Sequence, residues 1–177
     1  DATIIQEISQ KYEDAITQYA KSNVKELHVE SLLRFAHFNA NCGDHSRRLG
    51  ALDSVTRAYE CSSQLTTQEK ILVSGYAARI CYSMGLKRKF GFFLRETAQL
   101  HNQLCNQSVS MRLGSLCLDS YCVPIEMRNS EWVVRQEEKS MRGWQKLQLK
   151  LLKDLISFAK SMSPADYLTE AQLMLFM

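Results

Sequence analysis

Four residues of types that bind zinc lie between positions 37 and 61. His37, Cys42 and His45 surround one predicted helix turn, and Cys61 can face them from the next helix. Structural zinc takes four such ligands in a tetrahedral array, usually supplied by tight Cys-x-x-Cys or His-x-x-x-His pairs. Neither pair occurs in the sequence, so we predict no metal site.

The other nucleophilic residues do not form a catalytic motif. Cys105, Cys117 and Cys122 are candidates for a redox group, but cysteine is among the most often buried residue types and packs as a small hydrophobe. A serine hydrolase places its nucleophile on a glycine-flanked elbow after a strand, and Gly114-Ser115 lacks the second glycine and the strand. The sequence also has no glycine-rich phosphate loop. We therefore predict reduced thiols, no cofactor and no catalytic site.

A basic cluster formed by Lys87, Arg88, Lys89 and Arg95 is the first candidate binding surface. Positive charge opposes the helix dipole at the start of a helix but is favourable at the end of the preceding one, and the cluster flanks a turn between two predicted helices. It is either a solvated cap of the fourth helix or a docking point for an acidic partner or a phosphoinositide. Trp132 is the second candidate, since aromatic residues are favoured at interface hot spots, although such residues more often close a core.

Charge and hydropathy limit the class of partner. The 177 residues carry a formal charge of +3, with acidic and basic residues spread along most of the chain, which gives no reason to expect nucleic acid. No apolar stretch approaches the roughly 20 residues that span a bilayer, so we predict no transmembrane segment. The sequence begins at Asp1 and ends on the apolar run 173–177. We expect a fragment of a longer cytoplasmic protein.

Composition and periodicity predict helix along most of the chain. Only two prolines and seven glycines interrupt it, and apolar residues recur with helical period. Charged residues after Pro124 make 124–142 a long connection. The predicted helices cover residues 2–21, 25–41, 45–63, 66–85, 87–104, 105–123, 144–161 and a segment from 163 onward.

The fourth helix has the most detailed prediction. Thr66 and Glu69 have capping-box spacing, in which each side chain satisfies a free backbone N–H, and Gly85 is expected to end the helix. Small residues would let a neighbouring helix approach closely. The predicted buried face consists of Ile71, Leu72, Gly75, Ala78 and Tyr82.

Helices of about twenty residues in antiparallel pairs match the roughly 34 to 47 residue periods of tetratricopeptide and HEAT-like arrays. A strict tetratricopeptide consensus is absent from the sequence. We therefore predict an all-α fold, an irregular tetratricopeptide-like α-solenoid of about seven to eight antiparallel helices, rather than a closed bundle. One helical-repeat domain would cover residues 1–177.

Two stretches of the sequence resemble a known family. The first comprises 65–70 (LTTQEK), 84–89 (MGLKRK) and 92–98 (FFLRETA), and the second is 142–155 (RGWQKLQLKLLKDL). Together with the pattern Tyr12-x-x-Ala15-x-x-x-Tyr19, they resemble the middle, tetratricopeptide-like region of the large TRAPP II-specific subunit family, also described as the NIK- and IKKβ-binding protein family. The resemblance covers most of the chain and departs from it at 105–142 and after Ala159.

The resemblance implies a non-catalytic scaffold in a multisubunit vesicle tether at the Golgi, in a complex that activates Rab GTPases. Nucleotide exchange belongs, in that family, to small core subunits. The implied partners are other TRAPP subunits and, through the complex, Rab GTPases. The implied location is cytoplasmic and Golgi-associated, with peripheral membrane association. The same resemblance allows an alternative function, a signalling adaptor that binds a protein kinase of the NF-κB pathway.

Overall fold

The computed structural model describes residues 2–42, 45–121, 125–128, 131–134, 145–162 and 166–174. These ranges are predominantly helical, so the fold is all-α in class, as predicted. The helices are α1 (Ala2–Ser22), α2 (Lys25–Asn41), α3 (His45–Cys61), α4 (Thr67–Ser83), α5 (Lys87–Gln103), α6 (Gln107–Ser120), α7 (Gln145–Ser161) and α8 (Tyr167–Met174), with a short 3-10 helix at Ser62–Gln64. Two strands are also present, β1 (Ile125–Arg128) and β2 (Glu131–Val134).

Contacts within the chain divide it into two compact units, residues 1–85 and 86–177. In the first unit α2 packs against α1, α3 and α4, so it supplies the centre of that unit. Burial of apolar side chains is the main favourable term in such packing. The residues with no or almost no exposed surface in this core include Val29, Leu32, Ala36, Val55, Ala58, Ala77 and Ile80.

Local sequence signals fix both ends of α4, as predicted. The Glu69 N–H donates to the Thr66 hydroxyl over 3.3 Å, and the Thr66 N–H donates to the Glu69 carboxylate over 2.8 Å, which completes the capping box. At the other end Gly85 has a φ of 72°, a left-handed conformation that glycine adopts without steric cost.

The predicted buried face of α4 is wrong at two of its five residues. Leu72 and Tyr82 are 71% and 69% exposed, while Val73 and Ala77 are buried instead. Apolar residues lie on nearly every side of this helix, so its periodicity selects no single face, and the contacts with α2 and α3 decide which side is covered. No neighbouring helix lies close to Gly75 either, because a β-carbon at this position would meet no atom within 4 Å.

Close helix approach occurs instead at two glycines of the second unit. A β-carbon on Gly91 would lie 2.6 Å from Cε2 of Tyr121, and one on Gly114 would lie 2.7 Å from Cδ2 of Leu155. Gly114 therefore lowers the intrinsic helix propensity of α6, as the sequence indicates, but makes room for the side chain of α7 that packs there. In this unit α5 packs against α6, α6 against α7, and α7 against α8.

The segment 124–142, predicted as a long connection, contains a β-hairpin. β1 and β2 pair antiparallel, with Ile125 opposite Val134 and Arg128 opposite Glu131. β1 lies beside α6, and β2 lies beside α8. Strands of four residues are too short to give a clear periodic signal in the sequence.

The predicted start of α8 at Ser163-Pro164 lies outside the described residues. In the described part this helix begins at Tyr167. Asp166 accepts a hydrogen bond from the Thr169 N–H over 3.0 Å, which is the pattern of a helix N-cap.

Candidate functional site

A groove of about 940 Å³ lies on the first unit. Its walls are the α2 residues between Glu26 and Cys42 and the α4 residues between Glu69 and Tyr76, with Tyr12 of α1 and Leu65 completing the lining. We refer to it as the α2–α4 groove. Its volume lies near the upper end of the range of about 300–1,000 Å³ typical of small-molecule sites.

The two walls run in the same direction. At one end of the groove, the side chain of Lys25, next to Glu26, is hydrogen-bonded to the side chain of Gln64, next to Leu65. Farther along both helices the rings of His37 and Tyr76 have centroids 5.9 Å apart. These two contacts hold α2 and α4 side by side along the groove.

The lining of the groove is mainly apolar and aromatic. Val29, Leu33 and Val73 are buried in it, whereas Leu72 remains 71% exposed at the wall. Tyr12 contributes a ring whose centroid lies 5.8 Å from that of Phe38. Leu72 extends the apolar lining of the groove to the surface, and contiguous exposed apolar surface of this kind marks binding grooves.

Acidic side chains dominate the charge at the groove. Three glutamates line it, Glu26, Glu30 and Glu69, against one arginine, Arg34. Arg34 pairs with Glu30 over 2.6 Å. Two hydrogen bonds from Thr66 lower the pKa of the Glu69 carboxyl: the bond from its hydroxyl has the larger effect and the bond from its backbone N–H the smaller. This group is therefore ionised at neutral pH.

The predicted zinc candidates are only partly brought together. His37 and Cys42 both line the groove, whereas His45 is exposed on α3 and Cys61 is half-buried at the end of that helix. Within the described ranges, no group of three or more His, Cys, Asp or Glu side chains is placed to hold a metal ion. The groove offers surface for binding rather than a set of converging ligands.

The structure separates Arg95 from the rest of the predicted basic cluster. Lys87, Arg88 and Lys89 are exposed in the first turn of α5. Arg95 is only 17% exposed, and its Nε donates to Oδ2 of Asp154 on α7 over 2.8 Å. The charge of Arg95 is therefore paired within the second unit.

Trp132, the other predicted candidate, belongs to β2 and stands opposite Met127 in the hairpin. Its side chain lies outside the described part of the structure. Whether it anchors a partner stays a prediction.

Sequence reasoning did not identify the groove: it singled out neither Leu33 nor Tyr76, and it placed Leu72 on the buried face of α4. The available signal was the apolar circumference of α4, on which Ile71, Leu72 and Val73 are consecutive. Three adjacent apolar residues point in three directions on a helix, so one neighbour cannot cover all of them.

Comparison with protein-family models, with curated proteins and with solved structures finds no match for this chain. Among the helices in the described ranges, none combines the length and the apolar character that crossing a bilayer requires.

Proposed function

We propose that this chain is a non-catalytic protein-interaction scaffold that holds a partner segment in the α2–α4 groove. We further propose that it works in a TRAPP II-type vesicle-tethering complex, cytoplasmic and Golgi-associated, that activates Rab GTPases. The observation that carries the binding role is the groove itself, with apolar walls and with Leu72 71% exposed. The cellular role rests on the resemblance of the stretches 65–70, 84–89, 92–98 and 142–155 to that family.

The energetics of the groove favour a protein partner. Burying an exposed leucine contributes roughly 1.5–3 kcal/mol, and the aromatic rings of Tyr12, Phe38 and Tyr76 add large contact areas beside it. Helix faces that form an apolar groove are a recurrent surface for binding partner segments. Small subunits of the tether are the partners that the sequence resemblance implies.

The packing of α2 supports a solenoid-like scaffold in the first unit. This helix contacts α3, the next helix in the chain, and also α4, the helix after that. In helical-repeat proteins each repeat packs on its neighbours in the same way, and the stacked helices present an extended binding surface. We therefore retain the irregular tetratricopeptide-like α-solenoid as the proposed architecture.

Copurification tests the function with two matched leucine variants. Leu72→Arg places a charge at the groove, while Leu49→Arg places the same charge on α3 at a leucine that is 59% exposed and does not line the groove. In the full-length protein, Leu72→Arg should lose small TRAPP subunits and Leu49→Arg should retain them. Equal recovery with both variants would contradict the proposal. Recovery of an NF-κB-pathway kinase by the wild type in place of TRAPP subunits would support the adaptor function instead.

A further inference from the structure

We propose that the segment held in the α2–α4 groove is an amphipathic helix, apolar on one face and carrying Lys or Arg beside that face, where it meets Glu26. The proposal rests on the binding role proposed for the groove and specifies the chemistry of its partner. It is carried by the charge of the groove, by the arrangement of its carboxylates and by the nature of its walls.

The groove is acidic in a basic chain. Three glutamates and one arginine give its lining a net charge of −2, whereas the whole chain has a formal charge of +3. Complementary charge guides a partner to the correct surface and suppresses wrong ones. A basic segment is therefore attracted to this groove.

The carboxylates are grouped toward one end of the groove. Glu26 and Glu69 each lie in the first turn of their helix, and Glu30 follows Glu26 by one turn on the same side of α2. Arg34 neutralises Glu30, but no described side chain forms an ion pair with Glu26. The unpaired carboxylate of Glu26 is thus the first position at which an incoming cation gains an ionic contact.

The walls of the groove favour a helix over an extended segment. Both walls are α-helices, whose backbone N–H and C=O groups are already bonded within each helix. An extended partner would find no backbone partners there, whereas a helix satisfies its own. From Glu26 to Cys42 the groove is about 24 Å long at 1.5 Å per residue, which matches a partner helix of roughly four turns.

Two synthetic helical peptides of 18 residues provide the test. Both carry the same Leu and Phe stripe, and they differ only beside it, where one has Lys and the other has Glu. Their binding to the full chain is measured by fluorescence anisotropy at low and high salt. The basic peptide should bind at least tenfold more tightly than the acidic one, with a preference that shrinks as salt rises, because screening weakens contacts between exposed charges.

Protein variants assign the preference to the groove. Glu26→Lys should weaken binding of the basic peptide about fivefold, the scale for loss of one exposed ion pair. Glu60→Lys makes the same charge change at an exposed position of α3 outside the groove and should leave binding unchanged.

The outcomes distinguish the preference for a basic helix from the underlying proposal that the groove is a binding site. Equal binding of both peptides, sensitive to Leu72→Arg but not to Glu26→Lys, would overturn the charge preference and leave the groove as a binding site. Binding of neither peptide to the wild type would overturn both. Equal losses in Glu26→Lys and Glu60→Lys would overturn the inference by showing that net charge, rather than the groove, attracts the basic peptide.

Discussion

Arg95 on α5 and Asp154 on α7 form an ion pair in which Nε donates to Oδ2 over 2.8 Å. The same carboxylate oxygen accepts a hydrogen bond from Gln99 Nε2 over 3.2 Å. Both partners of the ion pair are mostly buried, with 17% and 24% of their side-chain surfaces exposed. One carboxylate therefore organises two side chains of α5, although α5 and α7 are separated in the chain by α6 and the hairpin.

Removing this carboxylate should destabilise the second unit. Asp154→Ala leaves the Arg95 guanidinium without its acceptor, and we expect a loss of about 2 kcal/mol, the scale for a hydrogen bond to a charged group. Urea unfolding measures the change. Asp119→Ala, an exposed aspartate on α6, is the control and should change stability by less than about 0.5 kcal/mol. Equal effects of the two substitutions would show that the ion pair contributes no specific stability.

Two glycine-to-alanine substitutions should change stability in opposite directions. Gly114→Ala places a β-carbon 2.7 Å from Cδ2 of Leu155, and such overpacking costs about 1–3 kcal/mol. Gly75→Ala meets no atom within 4 Å, so it should stabilise α4 by up to about 1 kcal/mol through its higher helix propensity. Thermal unfolding of both variants is the measurement. Stabilisation by both would mean that Leu155 moves aside without cost.

Two half-buried histidines should make stability fall in mildly acidic solution. Burial, and then the charge of Arg57, lowers the pKa of His28, while burial alone lowers the pKa of His101. Nε2 of the first and Nδ1 of the second are buried without a hydrogen-bond partner in the described part of the chain. A lowered pKa in the folded state means that the unfolded state binds the proton first. The contribution of each neutral histidine is therefore full above about pH 6.5 and is lost as the pH falls through the folded-state pKa.

Unfolding free energies at pH 7.5 and pH 5.5 test this dependence. The wild type should be less stable at pH 5.5, and the double variant His28→Gln with His101→Gln should lose less stability over the same interval. An equal loss in both proteins would assign the pH dependence to other groups. The Glu69 carboxyl does not contribute to this difference, because its pKa is lowered from 4.5 and it therefore titrates below pH 5.5.

Sequence patterns determined those parts of the fold that depend on local interactions. The capping box of Thr66 and Glu69 and the left-handed Gly85 are set by a few neighbouring residues, and both were predicted. The helix at 144–161 was also predicted from apolar residues that recur with helical period, and three of them, Leu151, Leu155 and Phe158, are buried in α7.

Features set by tertiary contacts were not predictable in the same way. The buried side of α4 depends on where α2 and α3 lie, because apolar residues surround this helix. The need for glycine at position 114 depends on the side chain of Leu155, which is distant in the sequence. The groove arises only when α2 and α4 lie side by side, so no single segment of the sequence contains it.

Photocrosslinking from position 72 tests the central claim most directly. A photoreactive amino acid replaces Leu72 in the full-length protein, and the same substitution at Leu49 is the matched control, since both leucines are exposed but only Leu72 lines the α2–α4 groove. After irradiation of the full-length protein together with the proteins that copurify with it, mass spectrometry identifies what each position contacts. The binding role predicts a crosslink from position 72 to one segment of a partner protein and none to that segment from position 49. Crosslinks from position 49 alone, or none to any other protein from position 72, would contradict it.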